Sequence, residues 1–320
     1  MSSSQGTSLP RMIRKRVIRL LISLVVVLTL SFLLMQLVPG DPARTTLGPD
    51  ATLEQVEERR HVLGLDQPVV VQYWNYWKRV VTGNFGVSMM KSVPVSYTIS
   101  KGLQNTLILV VIALTVTFVA ATVTGIVIGV LTNGNRNQPV LASFTVIAGL
   151  IAALPQFVVA MALVYFFSVR LNWLPVAFAT DWKSFVLPAL AITGTSTAIM
   201  ARVIRSQTEV VLGQDYIRVA RAKRLPQQLI YRRHALPNVL TAGLTLSGLQ
   251  LGSVIAASIV VEKVFAIPGL GNALITGMID SDYPVVQAIL LIFASAVLVV
   301  TLLVDILIGA LDPRSNLQDK

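Results

Sequence analysis

The chain has 320 residues, of which 54% are hydrophobic and only 13% charged, with a formal net charge of +11. Average soluble usage is about 25% charged, so too few charges remain to cover globular domains of this length. Lack of cysteine excludes a disulfide scaffold, and a mean hydropathy of +0.72 excludes disorder. What remains is a polytopic membrane protein.

A membrane-spanning helix needs about 20 mostly apolar residues. Six stretches qualify in chain order: 18–38, 106–131, 140–169, 185–204, 238–261 and 285–309. The Val, Ile and Ala richness would suit strands in water. In lipid only helices or closed barrels are possible, and no period-2 alternation is present. The fold class expected is therefore all-α, with a tail over 1–17, a first span at 18–38, an insert over 39–103, a five-helix core over 104–309 and a tail over 310–320. The first stretch carries a basic lead (Arg11, Arg14, Lys15, Arg16 and Arg19), as a secretory signal would. Its apolar run is too long for one, and Leu37-Val38-Pro39-Gly40-Asp41-Pro42 is no small-residue cleavage site, so it reads as a retained anchor.

The insert opens with Thr52 as N-cap and acids in the first helical turn. Gly64-Leu65-Asp66-Gln67-Pro68 breaks that helix, and an aromatic run from Tyr73 to Trp77 follows. The rings suit local packing or an interfacial belt; direct substrate contact is the less favoured reading. Within the spans, Gly125-x-x-x-Gly129 and Gly248-x-x-x-Gly252 permit close helix approach. Pro155 and Pro188 should kink or break their helices. Ser247, Gln250 and Ser253 put polar groups on the fifth span and are candidates for a translocation path. Asp305 is the one acid well inside a span, either functional or paired near the interface. Glu262 and Lys263 fall at the end of the fifth span, where an interfacial role is expected.

The segment 205–237 carries more chemistry. Asp215 suits the cap of a short helix reaching about Lys223, with Tyr216, Val219, Ala220 and Lys223 at i, i+3, i+4 and i+7. Pro226 suits the first turn of a second helix carrying Leu229, Ile230 and Arg233. Two readings stay open from the residues alone: a basic loop on anionic lipid headgroups, or a docking element for a cytosolic partner.

Orientation follows from Lys and Arg. The first tail, the 132–139 loop, the 202–237 segment and the last tail hold 16 of 26 basic residues (5 + 1 + 8 + 2) and fall on one side of a six-span chain. Both termini are expected in the cytoplasm and the insert outside. The positive charge is then topology, which disfavours nucleic acid. No catalytic set stands out: His61 and His234 are the only histidines, and no Gly-x-x-x-x-Gly-Lys-Ser/Thr phosphate loop occurs.

The segment ending at Leu236-Pro237 resembles the cytoplasmic signature of permease subunits in bacterial ATP-binding-cassette importers. Its spacing puts Arg218, Val219 and Ala220 at the Glu-Ala-Ala positions, Arg224 at the Gly position and His234 at the Ile position. Identity is limited to Ala220, Leu236 and Pro237. Asp215-Tyr216-Ile217-Arg218-Val219-Ala220-Arg221-Ala222-Lys223, with His234-Ala235-Leu236, resembles the dipeptide/oligopeptide branch. Arg224 departs from the branch's glycine, at a cost of about 1 kcal/mol for a left-handed turn residue. Further similarity lies in Gly83-Asn84-Phe85-Gly86, Leu154-Pro155, Gly248-Leu249-Gln250-Leu251-Gly252, Pro268-Gly269-Leu270-Gly271, Asp282-Tyr283-Pro284 and Leu311-Asp312-Pro313-Arg314.

The resemblance implies a type I importer permease fold in the bacterial cytoplasmic membrane. It implies that 215–237 is an ATPase-coupling segment, comprising Asp215, Tyr216, Arg218, Val219, Ala220, Arg221, Ala222, Lys223, Arg224, His234, Leu236 and Pro237. It also implies a related second permease chain, two ATPase subunits that bind ATP and Mg, and an external solute-binding protein. No cofactor is expected on this chain. The solute class implied is di- or oligopeptides, with a nickel chelate, glutathione or haem as alternatives. The rival from another class, an ion-coupled carrier or channel, calls for more intramembrane charge than Asp305 supplies.

Overall fold

Helices stand over all six expected spans in a computed structural model that describes residues 9–37, 41–47, 50–177 and 181–311. The motif residues Val38-Pro39-Gly40, most of the 310–320 tail, and the side chains of Ser247 and Asp305 lie outside the described residues. The elements are α1 (Leu9–Leu37), α2 (Pro42–Leu47), α3 (Leu53–Val62), α4 (Val69–Val81), α5 (Val95–Leu131), α6 (Gln138–Ala153), α7 (Gln156–Leu163), α8 (Val186–Leu212), α9 (Asp215–Ala222), α10 (Gln227–Leu229), α11 (Leu236–Val264), α12 (Leu270–Ile279) and α13 (Tyr283–Leu311). Wider π turns continue α7 through Val164–Arg170 and α10 through Ile230–Ala235. Among the described residues there is no strand, only an isolated bridge between Val87 and Pro94.

Among the described residues, three helices are long and apolar enough to cross a membrane: Val95–Leu131, Trp182–Leu212 and Tyr283–Val304. A fourth span is made by Gln138–Ala153 and Gln156–Arg170 if the pair, bent by 93°, counts as one. That bend falls at Leu154-Pro155. Leu154 is extended (φ −74°, ψ 127°) because the proline ring excludes the helical conformation from the residue before it. Pro188 does not act this way. It sits in the first turn of α8, where its missing N–H has no helical acceptor to lose, so the expected kink is absent. α5 begins about ten residues ahead of the expected span, since polar residues such as Ser96, Lys101 and Gln104 continue a helix that hydropathy alone cannot trace.

The chain divides into two compact units. One comprises Ile108–Phe265 with the end of α13; the other joins Arg14–Leu107 to Ala266–Val299. In the first, α8 packs against α6, α7 and α11. Its core contains Ala121, Met200, Ala201, Ile204 and Val239, with Phe118 and Phe144 packed against them. Gly125 and Gly129 set the approach of α5 to α8. A Cβ on Gly125 would lie 2.9 Å from the Ala201 carbonyl oxygen, and one on Gly129 would lie 2.7 Å from Thr208 Cβ. Gly248 likewise faces Val304, whereas Gly252 meets nothing within 4 Å, so only the first glycine of that pair serves packing inside the described chain. Glu262 is fully buried rather than interfacial; α11 continues past it to Val264 and carries it inside, leaving Lys263 exposed.

In the second unit the Thr52 cap forms as expected, with a reciprocal capping box to Gln55. The aromatic run packs locally. Tyr76 is buried with Leu28, Phe32 and Leu291; the Tyr73 ring meets Phe32 edge-on at 5.2 Å, and its hydroxyl lies 2.8 Å from Thr29 Oγ1. Trp74 is the ring of that run that is broadly exposed. Several motifs are joints. The Asn105 side chain donates to the Pro268 carbonyl at 3.1 Å, and Thr106 Oγ1 accepts from the Leu270 N–H at 2.8 Å. Gly269 has no side chain with which to cap α12, so Thr106 on α5 supplies the missing acceptor from a distant part of the chain. Gly102 leaves room for this contact: a Cβ there would lie 2.9 Å from the Gly269 carbonyl carbon. Asp282 is buried and accepts from the Ser88 hydroxyl and, at 3.0 Å, from the Met89 N–H.

Candidate docking elbow

Between α8 and α11 the chain leaves the long helices and forms an elbow. α8 ends at Leu212, Gly213 caps it, and α9 starts after Gln214. Gln214, not Asp215, is the N-cap; its φ and ψ (−67°, 151°) are extended, while Asp215 is already helical. Asp215 therefore acts as a first-turn acid, favourable at the positive end of the helix, and its carboxylate meets Arg218 at 3.4 Å in an exposed pair.

The elbow is anchored by its apolar face. Ile217 is 0% exposed and Ala220 5%, and both lie in a cluster with Leu212, Ile230 and Ala235. Leu225, Val130, Val211 and Tyr231 pack around it. This corrects the expected stripe. Ala220 faces the chain's own core rather than outward with Tyr216 and Val219, which are 41% and 53% exposed. Helix spacing placed Ala220 near both neighbours, but α9 is rotated so that its strongest hydrophobe, Ile217, is covered, and Ala220 one turn later follows it. The outward face carries Arg218, Val219, Arg221, Ala222 and Lys223, with Tyr216 at its edge.

Two further details set the elbow's shape. Arg224 has φ +57°, so the left-handed turn that the branch makes with glycine is made here with arginine. Its N–H donates to the Arg221 carbonyl at 2.9 Å, and the Leu225 N–H reaches the Ala220 carbonyl at 3.3 Å, closing the end of α9. Pro226 is then the N-cap of α10. At the far side, the Asn238 side chain donates to the Tyr216 hydroxyl at 3.0 Å and to the His234 carbonyl at 2.8 Å, tying α9 to the foot of α11. Burial pushes the Tyr216 phenol above its ordinary range, and the Asn238 hydrogen bond works the other way. His234 is half-buried at the end of the π turn, Leu236 is half-buried and Pro237 exposed. Sequence reasoning named Ile217 and Ile230 without assigning them the anchor, and it missed Asn238. The two isoleucines were legible as large β-branched residues on short helices rich in charge; Asn238 carried no local signal.

Of the expected path residues, Ser247 has its side chain outside the described residues. Gln250 is half-buried and Ser253 exposed. Buried hydroxyls without partners among the described residues occur instead at Thr117 and Thr122 on α5 and at Thr195 on α8. No group of three or more His, Cys, Asp or Glu among the described residues is arranged to hold a metal ion.

Comparison with known proteins adds three findings. Residues 121–316 match the family described as "Binding-protein-dependent transport system inner membrane component", and residues 9–109 match its N-terminal membrane component. The glutathione transport system permease protein GsiC of Escherichia coli K12 is 38% identical over 301 residues, covering 93% of this chain and 96% of that protein. The GsiC proteins of Shigella dysenteriae and Salmonella choleraesuis show the same identity and coverage. Among solved structures, an inward-facing form of the MetNI methionine ABC transporter has the same fold. Its TM-score is 0.59 at 17% identity, over 68% of this chain and 97% of that one.

Proposed function

The chain belongs to the binding-protein-dependent family of inner membrane transport components, and from that premise we propose that it imports small peptides, glutathione among them. It is a membrane permease subunit of an ATP-binding-cassette importer and not itself an enzyme. In the proposal a related second permease completes the path, two partner ATPase subunits bind ATP and Mg, and an external binding protein delivers the solute. Both termini and the elbow face the cytoplasm, and the 41–94 segment faces outward. The resemblance to the dipeptide/oligopeptide branch and the 38% identity to glutathione permeases both support a peptide-like solute.

The observation that carries the coupling role is the elbow itself. A short helix is clamped to the chain's own core through Ile217 and Ala220 and turns a Val219–Arg221–Ala222–Lys223 face outward. Such a rigid projection transmits force; a loop lying on lipid headgroups would not need an anchored apolar core beneath it. Val219→Asp tests it. This side chain is more than half exposed, so membrane abundance should stay normal while co-purifying ATPase and uptake are lost. Retention of both would remove the coupling reading.

A further inference from the structure

The second unit holds a cleft of about 1320 Å³ that the transport reading leaves unused. Typical small-molecule sites run to about 300–1,000 Å³, so this one has room for a small solute and its water. Its walls come from the α3–α4 region and the start of α13, and its lining is strongly polar. Two of its acids are already engaged. Arg60 meets Asp41 at 2.8 Å and Glu57 at 3.1 Å. A third, Asp66, lies 3.8 Å from His61. Beside them, Arg59, Lys78 and Arg79 line the same cleft and make no ion pair among the described residues. Arg59 is the telling one. It is half-buried, and its Nε–H is shut off from solvent without an acceptor. Leaving a guanidinium donor buried and unpaired is unfavourable unless an acceptor arrives. Amide side chains line the same cleft: Asn75 Nδ2 donates to Gln67 Oε1 at 3.1 Å, and Gln287 is a further lining residue.

We propose that this cleft is a way station for the free carboxylate of a peptide-like solute, with Arg59 as the carboxylate-binding residue, Lys78 and Arg79 as supporting charge, and Asn75 and Gln287 facing the peptide groups. Arg59 lines the cleft, so its guanidinium is offered to a small molecule entering there, even though the Nε–H itself is closed to solvent. The inference rests on the proposed function for the solute class and for the side of the membrane. It assigns a carboxylate requirement that the family reading does not contain.

The chain has no cysteine, so Asn75→Cys in the full chain in nanodiscs reports on the cleft by its rate of maleimide labelling. Trialanine should slow labelling about tenfold at saturation, whereas trialanine amide, which lacks only the carboxylate, should change it less than about twofold. Arg59→Gln in the same background should abolish protection by trialanine while leaving the ligand-free labelling rate unchanged, which shows the cleft still folded. Equal protection by acid and amide, protection that survives Arg59→Gln, or no protection at all would overturn the proposal. So would protection produced by the binding protein without peptide, which would assign Arg59 to an acidic side chain of that partner. The measurement needs no ATPase, so failure of the coupling reading and failure of the carboxylate site are told apart.

Discussion

The elbow and the α3–α4 unit solve one problem in opposite ways. Each contains short helices outside the long ones, and a helix of eight or ten residues is marginal by itself. The elbow is held by apolar burial among residues close in sequence: Leu212, Ile217, Ala220, Ile230 and Ala235 span fewer than 25 positions. The other unit also buries an apolar cluster around Tyr76, but polar side chains tie its distant segments together at the joints. Ser88 and Met89 bind Asp282 across more than 190 positions, and Thr106 binds Leu270 across 164. Apolar burial clamps the short helix to the ends of the helices on either side, so the elbow moves with them as one piece. Directional hydrogen bonds fix a joint in one geometry and lose most of their worth when it shifts. The first arrangement suits an element that must carry motion, and the second suits a platform that must hold its shape.

Four substitutions sharpen this contrast, taken from the largest expected effect to the smallest. Ile217→Asp would bury an unpaired carboxylate in the elbow cluster and should cost several kcal/mol. The elbow should detach, read as increased proteolysis at 213–235 and loss of protein from the membrane. Ala220→Asp should act the same way, because Ala220 is buried in its own chain; normal abundance for both variants would refute the apolar anchor. Asp282→Ala would leave the buried Ser88 hydroxyl and the half-buried Met89 N–H without their acceptor, at about 1–3 kcal/mol for the hydroxyl and less for the N–H. The thermal midpoint of the purified chain should fall, and hydrogen exchange at Met89 should rise while exchange across α9 stays unchanged. Faster exchange spread evenly over both regions would erase the distinction between them. Arg224→Gly relieves a left-handed arginine and should stabilise by about 1 kcal/mol. A small rise in thermal midpoint with transport retained is the expected result, and a loss of stability would mean that the arginine side chain contributes more than its backbone costs.

Much of the long-range order was legible where physics acts locally. Apolar runs placed all six long helices, because lipid demands internal backbone pairing over a fixed length. Thr52 and the Leu154-Pro155 break were readable for the same reason, since a cap and a pre-proline residue act within a turn. The elbow's existence was readable from 215–237, but its rotation was not. Tyr216, Val219 and Ala220 share a helical neighbourhood, and only the surrounding packing decided that Ile217 and Ala220 turn inward while Val219 turns out. Pro188 shows the same limit, since a proline breaks a helix or begins one according to where the preceding turn ends.

What the sequence determined by itself is the class: an all-α membrane protein with a basic cytoplasmic-type segment and motifs at spacings that no single helix explains. Tertiary structure alone decided why those motifs are there. Asp282 is a buried acceptor only because Ser88 and Met89 are brought to it, and Thr106 caps α12 only because Gly102 lets the Gly269 backbone approach. Arg60 pairs with Asp41 and Glu57, while its neighbour Arg59 keeps its Nε–H buried without an acceptor. Hydropathy and turn chemistry are properties of neighbouring residues and are written along the chain. Partnership between a donor and an acceptor 190 residues apart depends on where folding carries them, and nothing in either residue's surroundings along the chain records it.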